Sequence, residues 1–399
     1  MPQFPLDGLT VLDLSHALAG PYCTMLMATY GARVIKVEGT DSGDIGRAWG
    51  PPFSGADASF FLGINTGKQA VAIDLKDPRG IELCRDLIAK ADILIENFRP
   101  GTMDRLGLGY ETARAINPRL IYCSISGFGQ TGPRRDGPAM DLILQAASGL
   151  ISMTGTEAGE LVRCGHSVAD VTAGMFALIG VLMALRTREE TGRGQQVDVS
   201  MLDGMISAMA SAFANLFGSG VAPRPRGTAF GTIVPYACFP TADRNIGIAV
   251  ASEKLWQSFC QAIDRTDLAE DPRFSTNGLR VDNRALLEPV IVDTFRSKPA
   301  GEWLVILGRH GVPCTLVNTL AEVAGDPQAA ARAMFPTVAH PVGGPTTVTG
   351  APIKFSESSG QVRTPAPLHG QHTREVIQEI LGRSDRELDQ LIEFGVVAN

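Results

Sequence analysis

The stretch Leu9-Thr-Val-Leu-Asp-Leu-Ser-His-Ala-Leu-Ala-Gly20-Pro21 predicts the architecture of the N-terminal third of the chain. Its first six residues, Leu9–Leu14, form an apolar run typical of a buried strand, and the Gly-Pro pair opens a helix over Pro21–Thr29. The alternation continues through Arg33–Val37 (strand), Ala70–Leu75 (strand), Pro78–Lys90 (helix), Ile93–Glu96 (strand), Tyr110–Ile116 (helix) and Leu120–Ser124 (strand). Short apolar strands separated by helices predict an α/β fold with a parallel sheet covered on both faces.

Beyond residue 140 the pattern becomes more helical, and its composition then shifts. The helices are predicted over Leu142–Met153, Val168–Arg188 and Met201–Phe217. A stretch rich in glycine, proline and arginine follows, which marks a linker or a ligand loop. The predicted organisation is a large domain over 1–217, a linker over 218–231, a small α+β domain over 232–335, and a return linker plus the last part of the large domain over 336–399.

The bulk composition is that of a globular protein of two or more domains. The 399 residues are 44% hydrophobic and 19% charged, and the net charge of −7 argues against nucleic acid as a main partner. The seven cysteines form no CxxC pair and the six histidines show no metal-ligand spacing, so reduced thiols and no metal site are expected. Neither a signal peptide nor an apolar stretch of membrane-spanning length is apparent, which predicts a cytoplasmic protein without a membrane partner.

Three predicted strand ends carry polar or flexible residues that should gather on one rim of the sheet, where α/β proteins bind ligands. They are Ser15–Pro21, Glu96–Gly101 followed by Arg105, and Ser124–Gln130. The glycine pattern of dinucleotide-binding folds is absent from the first of them, and neither a phosphate-loop lysine nor a GxSxG motif is present. His16 alone is either a hydrogen-bonding loop residue or a catalytic one, and Arg99 and Arg105 are either ligand contacts or solvated charges.

The segment Gly137-Pro-Ala-Met-Asp141 delivers one acidic side chain to the start of an apolar helix. There the free N–H groups and the helix dipole favour an ionised carboxylate. Asp141 is therefore a candidate nucleophile toward an activated acyl group, and the alternative is that it only caps the helix, which is worth about 1 kcal/mol.

Together these motifs resemble one family, the class III (CaiB/BaiF-type) CoA-transferases, which includes formyl-CoA transferase and α-methylacyl-CoA racemase relatives. The matching blocks, in order, begin at Leu6, Gly31, Glu96, Gly127 and Thr191, and the resemblance runs to about Val397. It implies a Rossmann-like large domain built from both ends of the chain, joined by two linkers to the small domain. It further implies open-ring subunits that interlock as a homodimer.

The resemblance implies that Asp141 is the catalytic nucleophile. Its carboxylate would attack the donor thioester, and CoA thiolate would then convert the mixed anhydride into an aspartyl-CoA thioester, which an acceptor acid reverses. Both intermediates hydrolyse readily, so the site must exclude water. No permanent cofactor is implied, because the coenzyme A thioester is a substrate.

By the same resemblance, CoA should lie along four stretches and one further arginine. These contacts are His16, Ala17, Leu18, Ala19, Ile73, Asp74, Leu75, Lys76, Asn97, Phe98, Arg99, Arg105, Ile125, Ser126, Gly127 and Phe128. Lys76 and Arg105 would pair with the nucleotide phosphates. Two features differ from the formyl-CoA:oxalate CoA-transferases of this family. Gly39 replaces an expected arginine, and the segment 226–231 replaces a tetraglycine loop.

Transfer and racemisation differ in what precedes the nucleophile. The racemase branch of the family places a proton-carrying histidine there, and this chain has Met140, which favours transfer. Asp170 matches the second racemase base, but transferases share that residue type, so it could be structural. Arg224 and Arg226 would suit the far carboxylate of a dicarboxylate acceptor with a succinyl-CoA-type donor, or they are exposed linker charges. A CoA-binding protein without activity is the remaining alternative.

Overall fold

The architecture is given by a computed structural model that describes residues 4–399. Its contacts divide the chain into two compact units. The first takes in the chain up to Leu150, Cys164–Ala210 and Pro327–Asn399, so it draws on the N-terminal and C-terminal parts of the sequence. The second consists of Ile151–Arg163 and Ser211–Asp326. The linker predicted over 218–231 lies within this second unit.

The strands follow the predicted alternation and most of them belong to the first unit. They are β1 (Thr10–Asp13), β2 (Arg33–Glu38), β3 (Phe53–Ser54), β4 (Asp57–Ala58), β5 (Lys68–Ile73), β6 (Ile93–Glu96), β7 (Ile121–Ser126), β8 (Gln196–Ser200), β9 (Tyr236–Pro240), β10 (Asn245–Ala249), β11 (Cys314–Leu316), β12 (Thr337–His340), β13 (Gly344–Thr347) and β14 (Val397–Ala398). Seven of them form one sheet in the order β14-β5-β2-β1-β6-β7-β8. Every pair is parallel except β14 with β5, so the predicted parallel sheet is confirmed.

The described residues also form nineteen α-helices. They are α1 (Ala19–Thr29), α2 (Ser59–Ile64), α3 (Pro78–Lys90), α4 (Thr102–Arg105), α5 (Tyr110–Ile116), α6 (Asp141–Ala147), α7 (Leu150–Met153), α8 (Val168–Thr191), α9 (Met201–Ala208), α10 (Ala210–Ser219), α11 (Glu253–Ala262), α12 (Thr266–Glu270), α13 (Asn277–Asp282), α14 (Arg284–Phe295), α15 (Ala300–Arg309), α16 (Leu320–Ala324), α17 (Pro327–Ala331), α18 (Thr373–Leu381) and α19 (Asp385–Glu393). The bounds of α3, β6 and α5 coincide with the prediction.

Two predicted helices are broken in the structure. The helix expected over Leu142–Met153 ends as α6 and restarts as α7, because Gly149 between them takes φ = 92°, which stops an α-helix. The helix expected over Met201–Phe217 divides at Met209, whose backbone (φ −96°, ψ 21°) leaves helical geometry. Both breaks lie in apolar sequence, where periodicity alone predicts a continuous helix.

The long helix α8 overturns one expectation from the sequence. With 24 residues and a mean hydropathy of 2.1 over its most apolar window, it is long and apolar enough to cross a membrane, contrary to the prediction that no such stretch exists. Length and composition do not separate a membrane span from a core helix, and α8 packs on α1, α9, β7 and β8 in the first unit. Gly174 permits the close approach to α1, because a β-carbon there would collide with the Ala19 carbonyl.

One side of α8 leaves apolar side chains exposed. Met175, Ile179, Leu182 and Met183 are between 42% and 65% accessible. An exposed apolar stripe of this kind is typical of a surface that a second chain covers. The expected interlocked homodimer stays a prediction, which the molecular mass in solution would test.

Two ion pairs are enclosed beneath the first β–α turn. The Lys68 ammonium lies 3.0 Å from the Asp13 carboxylate and the Lys36 ammonium lies 2.7 Å from Asp44, and all four side chains are fully buried. Burial alone would raise the pKa of Asp13, but Lys68 and Lys36 outweigh it and hold that pKa well below its usual range. Asp13 therefore stays ionised inside the sheet.

The second unit contains a separate antiparallel sheet, β11-β10-β9. Its core is aromatic: Trp256, Phe295 and Trp303 are almost fully buried between the sheet and helices α11, α14 and α15. The Phe295 and Trp303 rings meet edge to face at 4.9 Å. This unit has its own hydrophobic core.

Candidate active site

A cavity of about 750 Å³ opens in the first unit at the carboxyl ends of β1, β6 and β7. Here the winding of the sheet reverses, because β2 and β5 follow β1 on one side and β6, β7 and β8 follow it on the other. The three predicted strand ends do gather at this rim. The lining segments are His16–Ala19, Asn97–Pro100, Ile125–Gly127 and Gly137–Asp141.

The remaining predicted CoA contacts lie outside this cavity. Ile73 ends β5, which is two strands away from β1, and Asp74, Leu75 and Lys76 follow it. The Arg105 guanidinium donates a hydrogen bond of 2.9 Å to the Thr102 hydroxyl. The Arg134 guanidinium lies over the Phe128 ring, 4.1 Å from its centroid. Their contacts with CoA stay predictions.

His16 is fixed mainly through its backbone. Its N–H donates to Asn97 Oδ1 and its carbonyl accepts from Asn97 Nδ2, both at 2.8 Å, which ties the end of β1 to the end of β6. Its ring contacts Phe98 edge to face at 5.3 Å. Burial, with the positive charge of Lys36, lowers the pKa of His16, so the ring lining the cavity is neutral at pH 7.

The first turn of α1 lies at the cavity and has no side-chain cap. Leu18 precedes the helix and no side chain caps it, while Leu18 and Ala19 line the cavity. Gly20 is required here, because a β-carbon would collide with the Ser15 side chain. The positive end of α1 is thus available to an oxyanion or phosphate of a ligand.

Asp141 begins α6 and lines the cavity, but it is not the cap of that helix. The cap position belongs to Met140. Asp141 Oδ1 accepts the backbone N–H of Ala169 at 2.9 Å, and Oδ2 accepts Gln145 Nε2 at 2.7 Å. The N-cap alternative is therefore wrong: the Asp141 carboxylate ties α6 to the first turn of α8.

Gln145 extends this connection and is fully buried. Its Oε1 accepts the backbone N–H of Cys164 at 2.9 Å, and its Nε2 lies 3.4 Å from the carbonyl of His166. Asp141 and Gln145 together hold the segment 164–169, and the residue that follows this segment is Asp170.

Asp170 is the second carboxylate of the cavity. Burial, with the negative charge of Asp141 as the second cause, raises the pKa of Asp170 to about 7. Within residues 4–399 its carboxylate accepts no hydrogen bond. The cavity thus contains one carboxylate with both oxygens engaged and one with both oxygens available.

Sequence reasoning missed several lining residues. Trp49 and Phe60 come from a region without a predicted element, and their rings pack at 5.1 Å on one wall. Arg135, which no sequence motif singles out, lines the cavity together with Arg99. The position of Trp49 before a Gly-Pro-Pro turn was the one available signal.

Other predicted features lie elsewhere. Arg224 and Arg226 are exposed and belong to the second unit, so their role toward an acceptor stays a prediction. Among residues 4–399, no group of three or more His, Cys, Asp or Glu side chains is arranged to hold a metal ion.

Comparison with known proteins adds three findings. A model of CoA-transferase family III matches residues 6–373. The human succinyl-CoA:glutarate CoA-transferase is 36% identical over 98% of this chain and 90% of its own length, and the acetyl-CoA:oxalate CoA-transferase of Acetobacter aceti is 39% identical over 89% and 90%. The crystal structure of a CAIB/BAIF family protein from Brucella suis superimposes with a TM-score of 0.85 at 35% identity, over 95% of this chain and all of that one.

Proposed function

Because the chain belongs to CoA-transferase family III and moves CoA from an acyl-CoA thioester to a carboxylic acid, we propose that Asp170 is the residue that carries CoA between them. The observation that carries this proposal is the pair of carboxylates in the cavity. It departs from the sequence-based prediction of Asp141, which stays untested.

The contacts of the two carboxylates favour Asp170 as the attacking group. Both oxygens of Asp141 accept hydrogen bonds, which lowers their electron density and fixes their position. Asp170 is desolvated and unbonded, and its raised pKa makes it a stronger nucleophile than an ordinary carboxylate. Asp141 then has two tasks: it holds the turn before Asp170 and it raises the pKa of Asp170.

The transfer proceeds through four successive nucleophilic displacements. An Asp170 oxygen attacks the thioester carbonyl, and CoA leaves as thiolate from a mixed anhydride. The thiolate attacks the Asp170 carbonyl carbon of that anhydride, releasing the donor carboxylate and leaving an aspartyl-CoA thioester. The acceptor carboxylate then attacks this thioester and expels CoA thiolate, which takes the acyl group from the second anhydride and restores the Asp170 carboxylate.

The surroundings suit this chemistry in two ways. The N–H groups at the start of α1 stabilise the oxyanion formed at each attack. The apolar wall of Trp49, Phe60 and Met140 disfavours water, which would hydrolyse the anhydride. Met140 cannot carry a proton, so this chain has no acid at the position where the racemases of the family have one.

A dicarboxylate is the acceptor class that fits best. Arg99 and Arg135 line the cavity, and a guanidinium binds a second carboxylate through two parallel hydrogen bonds. Both relatives named above are called transferases of dicarboxylates, glutarate and oxalate. Arg224 and Arg226 remain alternative partners for that group.

The decisive test of this function is an acceptor panel. Purified protein is incubated with succinyl-CoA or acetyl-CoA and one of oxalate, succinate, glutarate or butyrate, and new CoA thioesters are separated by chromatography. Dicarboxylates should form thioesters faster than butyrate. Exchange of an α-proton of a 2-methylacyl-CoA with deuterated water, without transfer to any acid, would instead establish a racemase.

The pH dependence of transfer should move when Asp141 becomes asparagine. Attack requires ionised Asp170, so kcat/KM of the wild type should fall as the pH drops below about 7. Asp141→Asn keeps an oxygen for the Ala169 N–H but removes the negative charge, which lowers the pKa of Asp170 and moves this acid limb by about one pH unit or more to lower pH. Because burial is the larger cause, the midpoint should stay above that of an ordinary aspartate.

The control for this pH experiment is Asp203→Asn, which changes an exposed aspartate in the first turn of α9 outside the cavity. Its acid limb should match the wild type. A shift of equal size in both variants would mean that the limb does not report Asp170.

A further inference from the structure

We propose that Asp44, supported by Lys36, is a positioning residue that holds the turn Ser15–Ala17 in the shape needed to bind the acyl-CoA. The inference rests on the proposed function, since it assumes that this cavity receives CoA. Asp44 itself is buried and lies outside the cavity lining, so it acts through the turn.

The turn is strained where it lines the cavity. Ala17 takes φ = 63°, a left-handed conformation that is sterically unfavourable for a residue with a β-carbon. Its N–H donates to Asp44 Oδ1 at 3.0 Å, and the same oxygen accepts the N–H of Gly46 at 2.8 Å. Without the first of these hydrogen bonds, nothing at Ala17 itself favours the positive φ.

The rest of the turn is held by charged or amide side chains from the strands around it. Lys36 Nζ donates to the Ser15 carbonyl at 2.8 Å and pairs with Asp44 Oδ2 at 2.7 Å. Asp13 Oδ1 accepts the Ser15 N–H at 3.0 Å, and Asn97 holds both polar backbone groups of His16. Lys36 thus connects the Ser15 carbonyl, where the turn begins, to the Asp44 carboxylate, which accepts the N–H of Ala17 where the turn ends.

This arrangement explains why buried charges lie under a cavity that they do not line. The turn leads directly into α1, whose first N–H groups have no side-chain cap and start at Ala19, which lines the cavity. If the backbone at Ala17 relaxed to a negative φ, the direction of the chain at Leu18 would change and those N–H groups would turn away.

The test compares variants by their dissociation constant for free CoA, measured by titration calorimetry, and by KM and kcat. Asp44→Ala removes both hydrogen bonds and the ion pair, and should weaken CoA binding about tenfold or more. Asp44→Asn keeps an oxygen for the two N–H groups and should lose less. In the Asp44→Ala protein, Ala17→Gly should recover most of the affinity, because glycine adopts positive φ without steric cost.

Asp57→Asn is the matched control. Asp57 is also a buried carboxylate, paired with Arg47 at 3.0 Å, and no hydrogen bond joins it to the turn. It should lose thermal stability without losing CoA affinity. Equal losses of affinity in the Asp44 and Asp57 variants, wild-type affinity in folded Asp44→Ala, or no recovery with Ala17→Gly would each overturn the inference. A wild-type protein that fails to bind CoA would overturn the proposed function along with it.

Discussion

Asp170→Asn should reduce kcat for CoA transfer by at least about 10³-fold, the scale expected when a nucleophile is removed. Asparagine preserves the size of the side chain, and the Asp170 carboxylate accepts no hydrogen bond within residues 4–399, so the substitution breaks no contact described there. The fold and the affinity for CoA should therefore change little. The measurement is kcat with a dicarboxylate acceptor, beside the CoA dissociation constant.

A trapping experiment locates the intermediate independently of the rate. Incubation with succinyl-CoA followed by hydroxylamine converts an aspartyl thioester or anhydride into a hydroxamate, which peptide mass spectrometry places on one residue. The modification should lie on Asp170 in the wild type and in Asp141→Asn, and should be absent from Asp170→Asn. A hydroxamate on Asp141 would restore the assignment that the sequence predicts and would contradict the reasoning from hydrogen bonds.

The two carboxylates also show where sequence reasoning stops. The sequence indicates Asp141 as a candidate nucleophile because a Gly-Pro turn before an apolar helix is a local signal. The importance of Asp170 depends on a backbone contact between Ala169 and Asp141, 28 residues apart, and on Gln145 holding the segment between them. Neither contact can be predicted from the spacing of residues in the sequence.

The sheet was predictable because its information is local. Most of the parallel strands are short, largely apolar runs bounded by turn residues, and the bounds of α3, β6 and α5 follow directly from such signals. Strand ends then converge by geometry, which is why the rim of the cavity could be predicted. The charges Asp13, Lys36 and Lys68 could not be understood in this way, since a strand pattern does not say which buried groups neutralise each other.

Lys68→Met should destabilise the first unit by about 3–5 kcal/mol, the usual result of removing one partner of a buried ion pair. Lys68 Nζ donates to Asp13 Oδ2 at 3.0 Å, to Asn65 Oδ1 at 2.8 Å and to the Pro21 carbonyl at 3.0 Å. Burial lowers the pKa of Lys68 to about 8 against the opposing effect of Asp13, so the ammonium is charged at pH 7. Methionine fills the volume but removes one donor from each of these three acceptors and leaves the Asp13 carboxylate without its ion-pair partner.

The free energy of unfolding at pH 7, from urea titration followed by circular dichroism, measures this loss. Glu379→Gln is the exposed counterpart, since the Arg33–Glu379 pair is 31% and 57% accessible at its side chains and should contribute no more than about 1 kcal/mol. In a Lys68→Met, Asp13→Leu protein the uncompensated carboxylate is gone, which should recover part of the stability. Recovery stays partial because Asp13 also accepts hydrogen bonds from Ser15 and Thr24. Equal unfolding free energies for Lys68→Met and Glu379→Gln would show that the enclosed pair does not hold the sheet together.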